Sequence, residues 1–293
     1  MSALVQHFDH FVVPVDDIMT AENFYINVLG CKMAMNRDGK PMRFGLNVLH
    51  IKHGMRPHTF FVAAGKRIGV YLQTDFRPPS TGIRGEQTYS FETTDAGLDQ
   101  FAGSLGKAGV EFESTVSGPE GLVRSALYFN DPAGNHFSVY VPQKPNATTD
   151  HPRDMTSPLT AVGYLALEAP DLERSVKFYM DVFGLPAPRR AKDELTGAPQ
   201  ALVSMPSGQA IVLTQAPFSD KGLKLSRAET GPHLAFYVPA ARWGKIIARL
   251  DKAGVPHGDR AAEAKGRVSA DVDTYFDEPG GHVIQLISAL QPA

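Results

Sequence analysis

The sequence predicts an α+β protein made of four βαβββ modules, and three observations carry that prediction. The chain has 293 residues, enough for about two domains that each bury a core of their own. Its halves repeat one another. His10-Phe11-Val12-Val13-Pro14-Val15-Asp16-Asp17, followed by Phe24-Tyr25 and Leu29-Gly30, is answered by Tyr164-Leu165-Ala166-Leu167-Glu168-Ala169-Pro170-Asp171, followed by Phe178-Tyr179 and Phe183-Gly184. The offset is constant, 171 − 17 = 178 − 24 = 184 − 30 = 154, which is the signature of a duplicated unit. Each half then divides again into two segments with the same order of strand, helix and further strands.

In the first segment a strand over His10 to Val15 leads into a helix opened near Asp17 and closed at Gly30. Asp17 and its counterpart Asp171 are placed to accept hydrogen bonds from the exposed amides of a helix start. Thr59-Phe60-Phe61-Val62 and Arg67 to Leu72 read as a hairpin around Ala64-Gly65-Lys66. The second segment opens with a strand from Thr88 to Glu92. A helix follows with Leu98, Phe101, Leu105 and Ala108 at helical spacing, ended by Gly109. Phe91 with Lys107-Ala108-Gly109-Val110 recurs as Phe236 with Lys252-Ala253-Gly254-Val255, where 236 − 91 = 252 − 107 = 145, so only loop lengths have changed. Both halves close alike: Asn130-Asp131-Pro132-Ala133-Gly134-Asn135 and Asp277-Glu278-Pro279-Gly280-Gly281-His282 each precede an apolar strand. The expected domains are therefore residues 1–143 and 158–293, two modules each, joined by a proline-rich polar linker over 144–157.

Charge and composition exclude several classes of function. Lys plus Arg is 29 and Asp plus Glu is 31, a net charge of −2 that gives no grip on phosphate backbones, so no nucleic acid is expected. No run approaches the roughly 18 apolar residues of a spanning helix, so no membrane is expected either. Cys31 is the only cysteine and cannot form an intramolecular disulfide, and Met1 to His7 lacks the character of a signal peptide. The expected location is cytoplasmic, and Asn146-Ala147-Thr148 reads as linker, not as a glycan site.

The strand carrying Asp16-Asp17, then Phe24-Tyr25 and Leu29-Gly30, together with Asn130-Asp131-Pro132-Ala133-Gly134-Asn135 before a last strand, resembles the vicinal oxygen chelate superfamily. That family includes glyoxalase I, fosfomycin-resistance and bleomycin-binding proteins and extradiol dioxygenases. The resemblance covers nearly the whole chain and looks most like the four-module extradiol type, which implies modules paired into two cup-shaped mixed sheets. It further implies metal ligands on the central strands: a His opening the first strand of one module, a second His on the next, and a Glu on a last strand. Such a set leaves positions open on Fe2+ or Mn2+ for two adjacent substrate oxygens.

Carried over position by position, the first half offers His10, Thr88 and Ser138 at these places, with Gly69 and then Tyr71 on the last strand of its first module. The second half offers Tyr164, His233 and Gln285, with Val212 on the corresponding strand. The second-half cup is the expected working site. There His233 acts as metal ligand or base, Gln285 as a weak ligand, and Tyr164 as an acid or oxyanion donor, while His10, Thr88, Ser138 and Tyr71 are candidate substrate contacts. His233 and His10 can equally be read as packing residues, since an imidazole can satisfy itself on a backbone carbonyl. His50, His53 and His58 lie close in sequence, but His50 and His53 are three apart, which on a strand sends them to opposite faces. The expected activity is dioxygenase-type or glyoxalase-like lyase or isomerase chemistry on a small, oxygen-bearing, aromatic molecule, with a degenerate metal site. The alternative is a metal-free protein that sequesters such a molecule. The expected partner is a small-molecule ligand, with self-association into a homo-oligomer left open.

Overall fold

The computed structural model describes residues 3–36, 38–44, 57–73, 82–84, 87–116, 118–119, 121–144, 158–216, 232–258 and 271–289. The elements follow the repeat. The first module holds β1 (His7–Val15), α1 (Ile18–Asn23), a π-helical turn (Phe24–Val28), and strands β2 (Lys32–Met33), β3 (Arg43–Phe44), β4 (His58–Ala63) and β5 (Lys66–Leu72). The second holds β6 (Thr88–Glu92), α2 (Asp95–Lys107), β7 (Phe112–Thr115), β8 (Val123–Asn130) and β9 (His136–Pro142). The third holds β10 (Ala161–Glu168), α3 (Leu172–Asp181), β11 (Arg189–Lys192), β12 (Pro199–Ser204) and β13 (Ala210–Thr214). In the fourth, β14 (His233–Tyr237) and α4 (Ala240–Lys252) precede β15 (Asp271–Asp277) and β16 (Val283–Ala289).

Local chemistry accounts for the element ends. Asp17 accepts from the Met19 and Thr20 amides, Asp171 from that of Arg174, and Thr94 from that of Gly97, so each of α1, α3 and α2 begins at a side chain that satisfies free N–H groups. The hairpin of β4 and β5 turns through Ala64 (φ 50°) and Gly65 (φ 72°), the two positive values that a two-residue turn between twisted strands requires. The helix expected up to Gly30 is α-helical only to Asn23. Its last turn widens so that the Leu29 amide donates to the Phe24 carbonyl, where two consecutive large rings, Phe24 and Tyr25, are both buried.

The strands form two mixed sheets, ordered β15-β16-β14-β1-β5-β4-β2, with β3 on β4, and β11-β12-β13-β10-β6-β9-β8-β7. Two compact units result: Met1–His10 with Leu167–Ala293, and Phe11–Ala166. The opening strand of a module is the one that pairs with a sister module, and β10 lies antiparallel on β6, with Val162 opposite Phe91 and Leu165 opposite Tyr89. Residues 161–166 therefore belong with the first half, and residues 1–10 with the second.

The closing turns hold each unit together through a duplicated clamp. In the Phe11–Ala166 unit the Tyr25 hydroxyl donates to Asp131 (2.9 Å), and the Asn135 amide donates to Asp131 (2.7 Å) and to the Pro14 carbonyl (2.9 Å). Burial and the adjacent carboxylate keep the Tyr25 phenol protonated, as a donor must be. In the other unit the equivalents are Tyr179, Glu278, His282 and the Glu168 carbonyl, which stands 3.0 Å from His282 Nε2. The longer Glu278 leaves its Oε2 and the Tyr179 hydroxyl without a hydrogen bond among the described residues.

Desolvation raises the Glu278 carboxyl above the usual carboxylate range, outweighing the lowering by His282 and by backbone N–H groups. The folded state thus holds this proton more tightly than the unfolded chain. Its contribution to stability is complete below the ordinary carboxylate range and is lost as pH rises through the raised value. Urea unfolding between about pH 4 and pH 8 should show that decline in the native protein and a flatter profile in Glu278→Gln. Parallel profiles would contradict it.

Candidate functional site

The site in the Met1–His10 and Leu167–Ala293 unit begins with a break in the alternation of β1. The Phe8 ring packs edge-on against Phe236 (5.5 Å), whereas the His10 ring meets His233 (5.4 Å). Positions 233 and 236 are three apart on β14 and project to opposite faces. Phe8 and His10, which a regular strand would place on one face, are therefore on opposite ones. His7 stacks on Tyr237 (5.0 Å), which shares the face of His233. One extra residue at Asp9-His10, the geometry of a β-bulge, explains the pattern and brings Asp9 and His10 to the same side. The Asp9 carboxylate then lies 2.7 Å from His10 Nδ1 and 3.9 Å from His7 Nε2.

The remaining groups come from the neighbouring strands. β14 runs parallel to β16 with Ala235 opposite Gln285, and β15 runs antiparallel to β16 with Tyr275 opposite Gln285. Facing residues on paired strands project to the same side, so His233, Gln285, Tyr275 and Asp273 share one face. Contacts bear this out: the His233 and Tyr275 rings are 5.4 Å apart and perpendicular, and the Gln285 amide donates to Asp273 (2.9 Å). His10, His233 and Gln285 are each less than a tenth exposed. The Nε2 atoms of His10 and His233 stand 3.3 Å apart, and Gln285 Oε1 is buried with no hydrogen-bond donor among the described residues.

This arrangement fits a divalent ion better than the bare ligand count suggests. Two imidazole nitrogens, each roughly 2.1 Å from one ion in adjacent positions, stand about 3.0 to 3.4 Å apart, the range in which the 3.3 Å separation falls. With its Nδ1–H donated to Asp9, His10 carries its lone pair on Nε2, the tautomer a ligand needs. The third group is an amide oxygen. Among the described residues, no cluster of three or more His, Cys, Asp or Glu side chains is placed to hold a metal.

The expected site residues are thus regrouped. His233 lies against His10 and on the same face as Gln285. Tyr164 belongs to the Phe11–Ala166 unit, where its hydroxyl is 3.2 Å from Ser138 Oγ and 3.1 Å from the Tyr128 hydroxyl, while Ser138 donates to Ser90 (2.7 Å). Thr88 is buried on β6 opposite Ala166, and Tyr71 is buried on β5 opposite His58, their rings 6.5 Å apart. The regrouping follows from strand order, which sets β1 beside β14 and β10 beside β6. His50 and His53 lie outside the described residues. Asp9, Asp273 and Tyr275 were not among the expected residues. Asp273 and Tyr275 could have been found from alternation on the strand facing Gln285, whereas Asp9 is concealed by the bulge.

The model of the Glyoxalase/Bleomycin resistance protein/Dioxygenase superfamily matches residues 7–139 and 161–286, and the chain belongs to that family. Among solved structures, a candidate dioxygenase of Bacillus subtilis matches at a TM-score of 0.67 and 15% identity, over 99% of this chain and 87% of that one. Glyoxalase I of Zea mays matches at 0.62 and 15%, over 97% and 92%. At these identities the likeness establishes the fold. A search of the curated proteins finds no match. No helix among the described residues is long and apolar enough to cross a membrane.

The Tyr164 hydroxyl bonds within a network of hydroxyls that includes Ser138 and Tyr128. Tyr164→Phe should lower the unfolding free energy by about 1 kcal/mol in urea denaturation, the net worth of the hydrogen bonds removed. An unchanged or higher stability would instead mean that the hydroxyl is held there at a cost, as groups reserved for function are.

Proposed function

We propose that His10, His233 and Gln285 form the working site, where a divalent ion and a small molecule with two adjacent oxygens are bound, with dioxygenase-type or glyoxalase-like lyase or isomerase chemistry. The observation that carries this reading is the pair of Nε2 atoms at 3.3 Å on the sheet face that also carries Gln285, whose buried amide oxygen accepts no hydrogen bond among the described residues. An ion held there, Fe2+ or Mn2+ for preference, would act as a Lewis acid on the ligand's oxygens. The chain's own residues supply the rest. His10 and His233 present nitrogen lone pairs, and Gln285 presents an oxygen. The Tyr275 ring, perpendicular to that of His233, packs against the imidazole. Burial of all three donor residues keeps water from competing with a bound molecule.

A second reading is favoured by the neutrality of the set. Two imidazoles and an amide include no carboxylate, and hard divalent ions prefer one. A metal-free site of this kind would bind a small oxygen-bearing molecule by hydrogen bonds, with the two imidazoles sharing a proton between their Nε2 atoms.

Elemental analysis separates the two. Protein purified anaerobically should carry about one equivalent of Fe or Mn, and His233→Ala should lose both the metal and the spectral response to a catechol used as a chelating probe. Metal-free native protein that cannot be loaded with Fe2+ or Mn2+, yet is thermally stabilised by the catechol, would establish the binding-protein reading.

A further inference from the structure

The two inward-facing donors with a second polar atom are each tied from behind by a carboxylate. Asp9 lies 2.7 Å from His10 Nδ1, and Asp273 accepts from Gln285 Nε2 at 2.9 Å. In each case the atom so engaged is the one that carries hydrogen, so the opposite atom of the same side chain is an acceptor and not a donor. For His10 that atom is Nε2, 3.3 Å from His233; for Gln285 it is the buried Oε1. Either side chain turned over would present an N–H to the site and repel a cation.

We propose that Asp9 and Asp273 are positioning residues: they fix the His10 tautomer and the Gln285 amide orientation so that each presents an acceptor atom on the same sheet face, and they supply from outside the negative charge that the neutral ligands lack. The proposal rests on the reading of this site as a divalent-metal site and names two residues that act through its ligands. Neither carboxylate is as deeply buried as the groups it holds: the Asp9 side chain is 21% exposed and that of His10 is 8%. Both acids thus remain hydrated, and each charge is kept without the cost of full burial. The position equivalent to Asp9 in the third module, 9 + 154 = 163, is Gly163, and the one equivalent to His10 is Tyr164. A β-carbon at 163 would lie 2.0 Å from the Tyr140 hydroxyl, so no carboxylate could stand there. The acid accompanies the imidazole and is missing where the imidazole is missing.

The test uses the full chain. In metal-free protein labelled with 15N-histidine, long-range 1H–15N spectra should show His10 as the Nδ1–H tautomer. In Asp9→Ala it should shift toward Nε2–H, while Asp9→Asn, whose amide oxygen can still accept, should keep the native tautomer. Titration with Co2+, followed by its visible absorption, should show Kd raised roughly 10- to 100-fold in Asp9→Ala, and roughly tenfold in Asp9→Asn and Asp273→Ala. His10 found as Nε2–H in the native protein, or Co2+ affinity unmoved in all three variants, overturns the inference. If native protein binds no Co2+ while His10 has the expected tautomer, the metal reading of the site fails, and with it the charge role of both acids. The orienting role of Asp9 then stands on the tautomer alone. Thermal unfolding of each variant identifies any that does not fold, and Asp9→Asn, nearly isosteric with the native residue, keeps the affinity comparison available.

Discussion

The site depends on one irregularity in one strand. Were β1 to alternate regularly, His10 would follow Phe8 onto the face that packs against Phe236, and an imidazole would enter an aromatic core. The bulge at Asp9-His10 keeps Phe8 in the core and turns the next two side chains to the other face. The Phe8 backbone is anchored in turn by Gln209, whose Oε1 accepts from the Phe8 amide at 2.8 Å. Bulges bend a strand and re-aim a side chain at the cost of a locally broken ladder, and a side-chain amide that bonds the backbone beside the break offsets part of that cost.

The same irregularity occurs at the equivalent place in the third module, where the pairing of β10 with β6 shifts between Val162 and Leu165. Its contents are different. Gly163 leaves room for the Tyr140 phenol, which donates to Glu92 (2.9 Å), and the Tyr164 ring lies 5.1 Å from that of Tyr140. Hydroxyls of Tyr164, Ser138, Ser90 and Tyr128 bond one another. Duplication has thus produced equivalent backbones with different side-chain chemistry: one retains basic nitrogens, and the other has become core. Fold alone does not distinguish the two copies; their side chains do.

Much of the fold could be read from the sequence because the repeat is carried by local signals. Asp17 and Asp171 cap helices as their spacing implies, and Ala64-Gly65 turns a hairpin whose strands are fixed by alternating apolar residues. His10, His233 and Gln285 were legible singly, each at a ligand position of the family pattern. The pairing of His10 with His233 was not. His10 and His233 are 223 residues apart, and nothing local to either states that β1 lies beside β14. The partnership of Asp9 with His10 was hidden for a different physical reason. Consecutive strand residues point to opposite faces unless a bulge intervenes, and this bulge has no glycine or proline to announce it.

The neutrality of the ligand set bears on how the unliganded protein tolerates its own site. A carboxylate at position 285, buried as deeply as the glutamine, would be an unpaired charge in low-dielectric surroundings whenever no cation was present. Burial of an unpaired charge is worth several kcal/mol against folding. Glutamine avoids that penalty, since one N–H is satisfied by Asp273 and only an amide oxygen is left without a donor among the described residues. In the proposed site the negative charge lies behind the ligands, on Asp9 and Asp273, where it would remain near water in the absence of a cation and be felt through the imidazole and the amide when one is bound. Such a site gives up some affinity for hard ions in exchange for a ligand-free state that folds without an orphaned charge.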